Sequence, residues 1–200
     1  MKKLLCLGIA LALCAPVMAQ TPALTSFSGG GYYSAYHSGT TGDTIGWEFV
    51  ANSSFSITHL GGWNDIAYGG METTHHVGIW DLNQNLLASV VVDPTTATAV
   101  GDFLYQQLSA PLAVVAGQHY VIGEADFVSS GVDYYVSSVS ASSWSPEVTW
   151  VNSRYPASLS MGFAFPSTIT TSVGRFGPNF LFPEPTTFVM LAGLALLRRR

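Results

Sequence analysis

Two hundred residues with a formal net charge of −5 and 48% hydrophobic side chains leave room for one well-buried domain once the two tails are set aside. Five of the seven basic residues lie in those tails, so residues 20–182 hold eleven acids against Arg154 and Arg175, a balance of −9. Such a surface repels phosphate backbones and anionic headgroups, which argues against nucleic acid and leaves cations, neutral sugars and other proteins as partners.

The chain opens as a secretory signal for signal peptidase. Lys2 and Lys3 form a basic start, residues 4–15 are apolar, and Val17-Met18-Ala19 is a small-x-small site, so cleavage is expected between Ala19 and Gln20. Lipidation at Cys14 is disfavoured by Leu13, where a small residue belongs. Both cysteines, Cys6 and Cys14, fall inside this segment, so the exported part has no thiol chemistry and no disulfide. Residues 20–44 are poor in bulky aliphatics and read as a loosely packed lead-in, with Tyr32, Tyr33 and Tyr36 able to dock on the domain that begins at residue 45.

From residue 45 to 182, apolar and polar residues alternate at period two, the signature of half-buried strands. Strands are predicted over 45–50, 54–60, 75–81, 85–92, 101–108, 118–124, 133–139 and 159–165. Turn residues space them as in an antiparallel β-sandwich of immunoglobulin or jelly-roll type, and no body segment has a helical stripe. DLNQN, residues 81–85, predicts a hairpin with Asn85 in the left-handed position, and Ala116-Gly117 a second turn. Residues 61–74, GGWNDIAYGGMETT, read instead as a long glycine-punctuated loop with exposed aromatics, the kind of segment that carries binding on a rigid sandwich.

Three chemistries are open to this pattern. His59, His75, His76 and His119 match neither an H-E-x-x-H motif nor an i, i+4 pair. His75 and His76, adjacent on a strand, face opposite ways. With no G-x-S-x-G elbow either, a hydrolase is the remotest reading, and packing or surface polarity the ordinary one for these side chains. Asp81, Asn83 and Asn85 begin like a calcium loop, but Leu86 and Val92 stand where that loop needs glycine and glutamate; calcium, the one cofactor considered, would have to join Asp81 with Asp65 or Glu72. Flat aromatics stack on sugar rings, which makes Trp63 and Tyr68 in the glycine-rich loop the candidate sugar platform, whereas Trp47 and Trp80 on strands read as sheet or core residues.

HHVGIWDLNQNLLASVVV, GDFLY and LAVVAGQHYVIG, in that order and spacing, resemble a domain of unknown function recurrent in secreted bacterial proteins, with Asn85 where that pattern commonly has Gly. The resemblance covers roughly residues 45–123 and implies a surface β-sandwich without a reaction. The last residues, PEPTTFVMLAGLALLRRR, resemble the PEP-CTERM sorting signal of exopolysaccharide-producing Gram-negative bacteria. That resemblance implies Pro183, Glu184 and Pro185 as the triplet read by an exosortase-like membrane protease, a short apolar helix over 186–197, and a stop at Arg198, Arg199 and Arg200. Prolines keep such a triplet extended, and arginines stay on the cytoplasmic side. A helix of ten to twelve residues reaches only about 15–18 Å across a hydrocarbon core of ~30 Å, so the anchor is expected to be transient. The expected protein is therefore a non-catalytic exported sandwich of the cell envelope or exopolysaccharide matrix, with a carbohydrate-binding module as the alternative.

Overall fold

A computed structural model describes residues 19–34, 42–125, 133–158 and 162–184. The expected signal segment up to Met18, Tyr36, Pro185 and the apolar tail with its arginines lie outside them. The described chain is all-β and antiparallel, as the alternation predicts, and two sheets form a sandwich. The first sheet holds, in spatial order, β1 (Gln20–Pro22), β16 (Pro178–Pro183), β5 (Phe55–Trp63), β9 (Phe103–Val114) and β8 (Thr98–Val100). In the second lie β14 (Thr168–Thr170), β13 (Val148–Tyr155), β4 (Ile45–Ala51), β10 (His119–Ala125), β6 (His75–Asp81) and β7 (Leu86–Val92). Two small sheets sit beside them: β2 (Leu24–Ser28) with β12 (Ala141–Trp144), and β3 (Gly31–Tyr33) with β11 (Tyr135–Ser137) and β15 (Gly174–Phe176).

Alternation sets what lies between the sheets. Trp47, Phe49 and Ala51 of β4 point inward and are fully buried, as are Phe180 and Phe182 of β16 opposite. Trp47 stacks on Phe180 at 5.9 Å between ring centroids, and Phe49 lies 5.0 Å from the same ring. The Trp47 indole N–H donates to the Pro178 carbonyl at 2.9 Å, so the largest core side chain leaves no polar atom unpaired. Trp80 faces outward on β6 and is buried all the same, because Phe163 and Phe165 of the segment after β13 lie over it.

Several expectations need correcting. The lead-in is woven into the fold: β1 pairs with β16, β2 with β12 and β3 with β11, and Ala23 and Leu24 are buried. β5 runs on to Trp63, so the glycine-rich loop is shorter than expected. The described part of the strand expected at 159–165 is irregular and serves as the cover on Trp80. In the hairpin after β6 the left-handed residue is Gln84, at φ 68°, while Asn85 donates from its backbone and side-chain amides to the two oxygens of Asp81. Gly117 does turn left-handed, at φ 77°. At the limits of the described residues, Gln20 pairs with Pro183 and the Glu184 amide donates to the Ala19 carbonyl at 2.9 Å.

Candidate functional site

One end of the sandwich gathers the features that a binding site needs. Here β5 delivers Trp63, whose backbone N–H donates to the Gly177 carbonyl at 2.7 Å. The chain then turns through a single 3-10 turn, Ile66–Tyr68, capped by the Asp65 carboxylate accepting from the Ala67 amide and closed by Gly69 at φ 109°. A turn this tight throws Ile66 and Tyr68 outward, 73% and 52% exposed. Tyr68 meets Tyr32 of β3 at 4.9 Å and Tyr134, just before β11, at 5.8 Å. Beneath them Trp63, 9% exposed, stacks on Tyr32 at 5.6 Å and 19°.

The expected pair of sugar-binding aromatics therefore separates into two roles. Tyr68 stands on the surface, while Trp63 belongs to the core and supports the others from below, with Phe27 edge-on at 5.7 Å. Tyr32 and Tyr134, which local sequence could not assign to this site, complete the platform because β3 and β11 pair across about a hundred residues of chain. The only hint was the density of tyrosines in GYYSAY and DYY.

A buried ionic cluster ties these pieces together. Glu124 faces inward at the end of β10, and its carboxylate sits where a Cβ on Gly62 or Gly177 would come within 2.3 Å of an oxygen, so a side chain at either position would have to displace it. His75 Nδ1 lies 2.6 Å from Glu124 Oε1 and its Nε2 3.0 Å from Asp133 Oδ2. Asp133 also accepts from the Glu72 amide and the Thr73 hydroxyl, both at 2.8 Å. Burial alone would discharge the imidazole, but its bonds to Asp133 and Glu124 and their charges outweigh that and push it up to about 9. Burial also works to raise Asp133, yet His75 and the Glu72 amide hold its carboxyl below the usual range. Glu124 is raised by burial, which His75 offsets only in part. His75 is thus an imidazolium at neutral pH that fastens β6, β10, the end of the Tyr68 loop and the residue next to Tyr134.

The other histidines stand elsewhere. His76 is on the opposite face of β6, against Phe163, and His59 contacts the neighbouring Thr58 hydroxyl. His119 Nδ1 lies 2.7 Å from Glu48 Oε1 beside a surface cleft of about 370 Å³ that also takes in Asp81, Asn83 and Gln118. Burial would raise the Glu48 carboxyl, but Arg154, His119 and Asn152 together hold it low. The three calcium candidates are not brought together. Asp65 caps the 3-10 turn, Glu72 precedes β6 and Asp81 ends it, six residues or ~20 Å along the strand. Asp81 is moreover occupied by Asn85, and among the described residues no group of three or more acidic, histidine or cysteine side chains stands ready for a metal ion.

Three tyrosines over a tryptophan floor offer flat faces for the C–H surfaces of a sugar and hydroxyls for its polar edge. No protein-family model matches this chain, and no curated protein matches it.

Proposed function

We propose that this chain is a non-catalytic exported protein of a Gram-negative cell envelope or exopolysaccharide matrix, and that its sandwich holds polysaccharide on Tyr32, Tyr68 and Tyr134. The observation that carries the reading is the exposure of Tyr32 and Tyr68, 47% and 52%, where every other described Phe, Tyr or Trp ring except Tyr33 is buried or partly covered. An apolar surface left open on a rigid support has a use more often than not. The −9 balance of residues 20–182 favours uncharged stretches of polymer over polyanions. Delivery rests on the expected signal and on the PEP-like tail, with transient anchoring in the membrane before an exosortase-like protease acts near Pro183.

Retention of the mature protein on the producer's own polysaccharide tests the binding half. Tyr32→Ala with Tyr68→Ala should abolish retention and leave the melting temperature within a few degrees of the parent. Normal retention of the double variant defeats the platform. For the sorting half, the intact mass of protein recovered from the cell surface should lack the tail, and a product still ending in Arg200 refutes its removal.

A further inference from the structure

Arg175 is in an unusual position. Along β15 it is the extra residue of a β-bulge: Val136 pairs with Phe176 and the adjacent Ser137 pairs with Gly174, leaving Arg175 between them without a partner across the strand. Its φ is 60°, left-handed backbone that a glycine adopts freely and an arginine does not. Bulges re-aim side chains, and the aim here is specific. The guanidinium lies between two rings, 5.0 Å from the centroid of Tyr135 and 5.0 Å from that of Tyr155, and donates to the Tyr135 hydroxyl. Tyr33, 47% exposed, stacks on the outer side of Tyr135 at 5.9 Å and 27°.

Stability does not account for this arrangement by itself. Arg154, the other arginine of residues 20–182, is paired with the buried Glu48, whereas Arg175 has no carboxylate partner among the described residues; the Nε of each is buried without a hydrogen bond. In a stretch with eleven acids, a half-covered cation held in a strained backbone and matched with no acid is suited to an anion from outside. Register adds the location. Tyr32 and Tyr33 are successive residues of β3, the edge strand of its small sheet, so their side chains leave on opposite faces. A polymer crossing that edge meets the Tyr32, Tyr68 and Tyr134 platform on one face and Tyr33 with Arg175 behind it on the other.

We propose that Arg175 is the anion contact of the glycan site, taking the carboxylate of an acidic sugar within an otherwise neutral polysaccharide. This rests on the reading of the tyrosine platform as a glycan site. The guanidinium edge would accept a carboxylate through its fork of N–H donors while its faces remain stacked on Tyr135 and Tyr155. Sparse acidic substitution is what the charge balance permits, since a uniformly charged chain is repelled by the net −9 of residues 20–182.

Cellotriose and its counterpart with a single C6 alcohol oxidised to the carboxylate differ only in that one group, and titration calorimetry of the mature protein with each at low and high salt separates the two claims. The oxidised trimer should bind about tenfold more tightly at low salt, with the preference collapsing as salt is added. Arg175→Asn, which tolerates the left-handed backbone, should erase the preference and leave cellotriose binding as it was. Arg175→Lys, which keeps the charge without the fork, should retain a reduced, salt-sensitive preference. Cellotriose bound with no preference for the oxidised trimer overturns the Arg175 assignment alone, as does a preference that ignores salt or survives Arg175→Asn. Free acetate competing as well as the oxidised trimer would mark a bare carboxylate site and overturn the glycan assignment. Binding of neither trimer removes the platform and this inference together.

Discussion

The rings between the sheets and the rings on the small sheet are made from the same residue classes and put to opposite uses. Trp47, Phe49, Phe180 and Phe182 are fully buried and interlock across the sandwich, whereas Tyr32, Tyr33 and Tyr68 keep about half their surface in water. The first group lowers the free energy of the fold through removal of apolar area. The second gives up much of that gain, and each member carries a hydroxyl that tolerates water. Burial of aromatic surface therefore marks the scaffold, and its exposure on a tied-down support marks the working surface.

That contrast is easiest to break from the inside. Phe180 touches Trp47, Phe49, Phe55 and Phe182, and Phe180→Ala should cost about 3–5 kcal/mol in chemical denaturation, enough to threaten folding. The ionic cluster comes next. His75→Leu leaves the Glu124 and Asp133 carboxylates buried without their cation, and a loss of about 3 kcal/mol is expected, with Tyr68 and Tyr134 loosened as well. The intact protein should show the same dependence through pH. His75 has a pKa raised to about 9, so its contribution is complete below its ordinary value near 6.5 and fades as pH rises through 9. Asp133, held low, loses its contribution only as pH falls below the ordinary carboxylate range. Melting temperature followed from pH 6 to 10 should therefore decline on the alkaline side, and a flat curve contradicts the imidazolium. Smallest of all is the effect of Tyr68→Ala on stability, within about 0.5 kcal/mol, since half the ring is already hydrated. A large loss there would return Tyr68 to the scaffold.

Alternation in HHVGIWD, IGWEFV and QHYVIG makes β6, β4 and β10 legible in the amino-acid sequence, and the sandwich with them. β16 is not legible: PNFLFP begins and ends in proline and is buried along nearly its whole length, so it shows no period of two although it lies inside the first sheet, between β1 and β5. Residues 20–34 are underrated for a related reason, because their stability comes from pairing with β16, β12 and β11 rather than from their own side chains. At the site, the glycine-rich loop announces Tyr68 by composition. Trp63 is misplaced by one strand end. The partners Tyr32 and Tyr134, and the union of His75 with Glu124 and Asp133 across 49 and 58 residues, depend on long-range register that no local pattern encodes.

The pairing of Gln20 with Pro183 has a further consequence for posture. β16 starts beside Gly62, at the tyrosine end, and finishes at Pro183 about 20 Å away along the strand. While the tail is seated in a membrane as proposed, Gln20 and Pro183 lie on the side nearest the lipid, and the tyrosines at the other end of β16 look away from it. During that transient stay the sandwich is a short mast, its adhesive surface raised by the length of a strand toward the polymer layer.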